Sequence, residues 1–208
     1  MATIITSPIL CTFIHIPKTG GNSITKWMGD NFHTKITKRK QHATVQDVKA
    51  GNHSLGPVSD LGWKFCVVRN PWDYMVSWYA FQKMLAQNRI EFVKQNPHLE
   101  NSKKDKFNLE LQQKRIDRLN LGFDVWIKNT QWVTQHTWAK DCDYIIKFEN
   151  LSEEFKLVQE KLNCDVPLGH LNKTVGRPKV YKDYYTQETI DIVAEKYAID
   201  IKTYNYNY

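Results

Sequence analysis

The 208-residue sequence predicts an α/β fold, a mostly parallel sheet flanked by helices. Three observations predict it. Short apolar runs that read as strands occur at residues 11–16, 63–68 and 143–148. A stretch with helical signals follows each run, the alternation that builds parallel sheets. Two of the runs end in turns rich in polar and glycine residues, Pro17–Asn22 and Arg69–Asn70, and ligands in such folds bind beyond the carboxyl ends of the strands. Hydrophobic content of 41% and charged content of 25% are ordinary for a globular chain, and the length suits a single domain spanning residues 1–208.

The elements follow in order. Residues 11–16 read as a buried strand and 17–22 as a loop. A short helix is expected over 23–32, with Ile24, Trp27 and Met28 on one side. The basic stretch "KITKRKQHATVQDVK" has too sparse an apolar pattern to define an element, and "AGNHSLGPVSDLG" is a loop by its Gly, Asn, Ser and Pro content. After the strand at 63–68, Asn70 suits an N-cap, Pro71 the first helical position and Asp73 the positive helix start, which predicts a helix from 71 to about 87. Residues 88–120 are strongly polar and read as a surface excursion, partly helical. A helix over 122–136 is predicted from Phe123, Trp126, Ile127, Thr130 and Val133 at three- and four-residue steps. The strand at 143–148 leads to Asn150 and Glu153, a capping box for a helix to about 163. A basic loop, "VPLGHLNKTVGRPKVYKDYY", precedes a last helix over 186–197.

Composition excludes some classes. The four cysteines, Cys11, Cys66, Cys142 and Cys164, form no C-x-x-C pair, which argues against a zinc or thioredoxin-like site, and Cys11 and Cys66 read as buried thiols. No apolar run approaches 18 residues, so no membrane span is expected. "MATIITSPILCTF" lacks a basic n-region and holds a proline, so it reads as mature protein in a reducing cytoplasm. A formal net charge of +7 favours an anionic ligand, a polyanion or a membrane surface, and equally describes a merely basic surface.

The loop in "FIHIPKTGGNSI" suggests an anion site. The kinase-type phosphate loop places its lysine after the glycines. Here Lys18 precedes Gly20 and Gly21, Phe13 stands where the first glycine belongs, and "FCVVR" ends in Arg69 rather than an acid. A triphosphate with magnesium is poorly supported. A cradle for a single phosphate remains: the amides of Gly21, Asn22 and Ser23 at a helix start, the hydroxyls of Thr19 and Ser23, and Lys18 at the rim. The plain alternative is a capped turn with an exposed lysine. Arg69 and Ser77 make a second pair, a guanidinium and a hydroxyl suited to a dianionic phosphate, unless Arg69 simply pairs with Asp73.

Together, "IPKTGGNS" and "CVVRNPWDYMVSWY" resemble the 5′-phosphosulfate loop and the 3′-phosphate motif of the sulfotransferases that use 3′-phosphoadenosine 5′-phosphosulfate. The likeness is greatest to the carbohydrate branch that includes heparan sulfate 2-O-sulfotransferase. "YIIKFENL", "HLNKT" and "YYTQETIDIVAEKYAIDI" extend it more weakly over most of the chain. The resemblance implies a P-loop-like fold and transfer of a sulfuryl group to an acceptor hydroxyl on a carbohydrate, so a glycan is the expected partner. It implies adenosine 3′,5′-bisphosphate as product and no metal. It gives Lys18 the departing phosphate, and Lys18 through Ser23 the 5′-phosphate. Arg69 and Ser77 take the 3′-phosphate, and Thr174 and Arg177 fall in a segment that folds over the donor. A histidine between the two motifs acts as base in that branch, which points to His42, with His53 in reserve and a plain surface histidine as the alternative. His15 reads as packed near the loop, and Trp72, Trp78 and Tyr79 as core rather than adenine stackers. Two other classes remain in play: a nucleotide or small-molecule kinase with an atypical loop, and a basic nucleic-acid binder. The lysine–glycine order disfavours the first. Scattered basic residues without a known module disfavour the second, so no nucleic-acid partner is expected.

Overall fold

The computed structural model describes residues 2–37, 42–52, 56–96, 103–169 and 180–208, with backbone alone for 103–108. The chain resolves into two compact units. One comprises Met1–Asn70, Val133–Asn172 and Ile199–Asn207, and the other Pro71–Trp132, Lys173–Ala198 and Tyr208.

The first unit holds a five-stranded sheet among the described residues: β1 (Ala2–Ser7), β2 (Cys11–Ile14), β3 (His33–Ile36), β4 (Trp63–Val68) and β5 (Tyr144–Lys147), in the order β3-β1-β2-β4-β5. The α/β class is as expected, but the sheet is mixed. β2–β4 and β4–β5 are parallel, whereas β1 runs antiparallel to both β2 and β3. The difference comes from two strands that the sequence did not reveal. Residues 8–10 turn the chain straight from β1 into β2, with no helix between them. β3 is a four-residue strand whose exposed and half-buried positions alternate, so it carries no apolar run to detect.

Both faces of the sheet are covered, which is why "FCVV" in β4 is apolar throughout. Phe65 and Val67 face α1 (Gly21–Asn31) and α7 (Leu151–Leu162), packing with Phe13, Ile24, Trp27, Met28, Phe155 and Val158. Cys66 and Val68 face the opposite way, toward Ile14, Ile16, Trp138, Tyr204 and Tyr206, together with Val45 and Val48 of α2 (Val45–Ala50). α6 (His136–Ala139) and residues 199–204 of α9 (Ala198–Tyr204) complete this layer.

The second unit is helical: α3 (Pro71–Gln95), α4 (Lys103–Asn120), α5 (Phe123–Asn129) and α8 (Gln187–Lys196). Tyr79, Phe123, Trp126 and Tyr184 form its aromatic centre, and the Tyr79 hydroxyl donates to the Leu119 carbonyl. α3 runs eight residues beyond the expected end, and with α4 it takes up most of the polar excursion. The helix expected over 122–136 stops at Asn129. Asn129 donates its side-chain amide to the Val125 carbonyl, and Thr130 turns extended. The capping box at Asn150 does not form. A 3-10 turn over Phe148–Asn150 leaves Asn150 near-helical, not extended, and its amide donates to Glu154 instead. Thr186 does cap α8, reciprocally with Thr189. Among the described residues no helix is long and apolar enough to cross a membrane.

Candidate anion site and adjoining histidine

β2 and β4 are parallel neighbours, so the loop after β2 and the residue after β4 leave the same edge of the sheet. The loop reverses through two left-handed residues, Lys18 at φ 63° and Gly20 at φ 81°. Glycine adopts that conformation freely, whereas a lysine there is strained by about 1–2 kcal/mol. The brace is Arg69, whose Nη1 donates to the Lys18 carbonyl at 2.9 Å. Arg69 is only 3% exposed, and its guanidinium lies 4.3 Å above the centre of the Phe148 ring. Phe148 also packs under Gly20, where a Cβ would stand 3.2 Å from its Cε2.

Gly21 is required for a different reason. A Cβ there would overlap the His15 ring at Cδ2, Nε2 and Cγ, so the start of α1 lies directly against that imidazole. Gly20 gives α1 no side-chain cap, and no acid stands in its first turn. The first amides of a helix have no intrahelical partner, which makes a helix start a place where an anion can bond. Of the three amides expected to meet a phosphate, that of Ser23 is already bonded to the Gly20 carbonyl at 3.0 Å. The fully buried Thr19 directs its hydroxyl proton to the Ile16 carbonyl at 2.9 Å, which leaves its oxygen as an acceptor. Asn22 is exposed and Ser23 buried.

His42 adjoins the loop. Its Nδ1 lies 3.0 Å from the His15 carbonyl oxygen. A carbonyl only accepts, so Nδ1 carries the proton and the neutral ring keeps its lone pair on Nε2, the tautomer a base needs. The two imidazoles meet edge to face, centres 5.2 Å apart. The Trp138 indole donates to the His42 carbonyl at 2.8 Å and holds the backbone. Partial burial lowers the His42 pKa, opposed by the bond to the His15 carbonyl. His15 is 6% exposed, and its Nδ1 has no hydrogen-bond partner among the described residues. Desolvation first, then nearby positive charge, that of the terminal amino group ahead of His42 and Lys18, hold its pKa down at about 3. Near neutral pH, His15 is thus a neutral packing residue, stacked on Phe13 as well.

Beneath the loop, the side-chain amide of Gln135 takes both backbone groups of Arg69. It accepts from the Arg69 N–H at 2.8 Å and donates to the Arg69 carbonyl at 2.7 Å. Asp200, fully buried, accepts from the backbone N–H groups of Gln135 and His136, each at 2.8 Å. Its carboxyl pKa is raised by desolvation and lowered by those two bonds, with desolvation dominant. Glu149 accepts from the Asn70 N–H and from the Tyr206 hydroxyl, and the Asn70 side chain donates to the Asn207 carbonyl.

The first unit therefore gathers Lys18, Thr19, Gly20, Gly21, Ser23, Arg69 and His42. Ser77 belongs to α3 of the second unit, where it is buried with Asp73 one turn away. Thr174, Arg177 and His53 lie outside the described residues. Sequence reasoning missed Phe148, Gln135, Trp138 and Asp200. Only Phe148 had a local signal, its place at the end of "YIIKF".

Comparison with known proteins adds nothing further: no family model matches the chain, and no curated protein or solved structure matches it.

Proposed function

We propose that the protein is a sulfotransferase that moves a sulfuryl group from 3′-phosphoadenosine 5′-phosphosulfate to an acceptor hydroxyl, on a carbohydrate. The observation that carries the reading is the pairing of an uncapped, lysine-bearing glycine loop with a histidine whose tautomer presents a basic Nε2. One element binds an anion and the other takes a proton, the two tasks that transfer to a hydroxyl requires.

In this reaction the amides of Gly21 and Asn22 at the start of α1 cradle the 5′-phosphate, the Thr19 hydroxyl braces the turn through its bond to the Ile16 carbonyl, and the buried guanidinium of Arg69 adds positive charge under the loop. His42 Nε2 accepts the acceptor's proton. The acceptor oxygen bonds to sulfur as the bond from sulfur to the 5′-phosphate oxygen breaks. Lys18 donates to that departing oxygen as its charge develops. Arg69 and Ser77 are assigned the 3′-phosphate, and Thr174 and Arg177 further donor contacts, on the sequence resemblance. No step calls for a metal.

The test is calorimetric binding of adenosine 3′,5′-bisphosphate, followed by transfer of labelled sulfate to a panel of glycans, phenols and lipids. Bisphosphate binding and EDTA-insensitive transfer to a glycan are expected. Magnesium-dependent phosphate transfer from ATP, with no bisphosphate binding, would overturn the reading in favour of a kinase.

A further inference from the structure

We propose that the turn from Gln135 to Trp138 is a positioning element that fixes the base His42 relative to the anion loop, with Gln135 and Trp138 as positioning residues that touch no substrate. The inference deepens the sulfotransferase reading and rests on it for the identity of the base.

Two side chains of this turn reach two different parts of the site. Gln135 binds the backbone of Arg69 through both ends of its amide, one residue past the last β4–β5 pair, Val68 with Lys147. Arg69 in turn braces Lys18. Trp138 binds the backbone of His42 through its indole N–H. The connections then close on themselves. From Trp138 they pass to His42, through its ring to the His15 carbonyl, and from the His15 imidazole to Gly21 in the same loop that Arg69 holds. Lys18 and His42 are thereby linked from both sides, and the turn is the piece common to both links.

The turn itself is anchored with unusual care for so short a helix. Asp200 devotes both carboxylate oxygens to its first amides from a fully buried position. Burying a charge is unfavourable unless it is fully hydrogen-bonded. Gln135 is likewise fully buried, and Trp138 is 9% exposed. Packing alone would be served by apolar residues at these positions. What the polar groups add is direction, since each can satisfy its partner in one geometry only. A displacement of about 1 Å in reacting groups can slow catalysis by about a hundredfold.

The experiment is Trp138→Phe, which keeps a ring in place and deletes the indole N–H. Sulfuryl transfer is expected to lose about ten- to a hundredfold in kcat. The donor KM and bisphosphate affinity should hold within about twofold, the pattern of a lost transition-state interaction. Unchanged kcat overturns the proposal, as does a parallel loss of kcat and bisphosphate affinity, which marks general loosening. Trp138→His restores a ring N–H and is expected to recover part of the lost kcat; no recovery counts against the inference. A readout without substrate separates this proposal from the functional one. In ¹⁵N spectra the His42 ring should be a single Nδ1–H tautomer in the wild type and a mixture in Trp138→Phe. Identical His42 spectra overturn the positioning role even if transfer is never detected. A tautomer shift in Trp138→Phe, together with a wild type that binds no bisphosphate, overturns only the assigned reaction.

Discussion

Two glycines in one helix should respond in opposite directions to the same substitution. Gly21 and Gly29 both lie in α1. At Gly21 an added methyl would overlap the His15 ring. That ring cannot easily move, because Phe13 stacks on it 5.7 Å away and His42 meets it 5.2 Å away. Overpacking of this kind costs about 1–3 kcal/mol, and alanine recovers about 0.5–1 through helix propensity. Gly21→Ala should therefore destabilise, by up to about 2.5 kcal/mol, or up to about 10 °C in Tm for a chain of this size. At Gly29 the nearest atom to a new Cβ is Thr34 Oγ1 at 3.9 Å, an ordinary contact. Gly29→Ala should stabilise by about 0.4–1 kcal/mol. Urea unfolding followed by tryptophan fluorescence measures both midpoints side by side. If both substitutions move the midpoint the same way, the close approach of α1 to His15 is wrong, and with it the path from the loop to His42.

Three further outcomes are expected. Gln135→Ala leaves the N–H and carbonyl of Arg69 without their partners, and should cost about 2–6 kcal/mol in denaturant unfolding at about 1–3 per orphaned group. Lys18→Gly should relieve the left-handed strain and, after the added chain entropy of glycine, gain about 0.5–1 kcal/mol; labelled-sulfate assays should nevertheless find it inactive. The third outcome concerns pH. The folded pKa of His15, about 3, lies below its ordinary 6.5, so the unfolded chain binds the extra proton first. Stability is then full above about pH 6.5 and falls as the pH drops toward 3, and His15→Phe should flatten that slope in acid titrations of unfolding. The His42 pKa is also depressed, so transfer should persist below pH 6.5 and decline as His42 protonates.

Local signals were the legible ones. The turn after β2, the strand at β4, the start of α3 at Pro71 and the last helix near 186–197 are each written within a few residues, and the structure has all four, although α1 starts at Gly21, two residues before the expected helix. β1 escaped because its turn into β2 is so short that the two strands read as one lead-in. The break after Asn129 escaped because the apolar period continues through Thr130 and Val133 while the backbone does not. At the site, the glycines and Lys18 were readable, but the reason for Gly21 was not, since it lies in a ring six residues earlier. Gln135, Trp138 and Asp200 were beyond local reading altogether. Their partners are 66, 96 and 65 residues away, and nothing near a glutamine in "TQHTW" announces an arginine it will hold.

The anchoring of Gln135 by Asp200 also orders events during synthesis. The β1–β2 and β1–β3 ladders join residues close in sequence, so they can pair while the chain is still being made. The parallel ladders wait for β4 and then β5. Arg69 is available to the loop early, but the clamp on its backbone arrives with Gln135, and the anchor of that clamp only with Asp200. A nascent chain that stalls anywhere in between carries the complete loop sequence without the groups that hold its shape. The held shape of the loop is therefore a late-acquired property, reached once Asp200 has emerged, although the loop's own residues are among the first to be made.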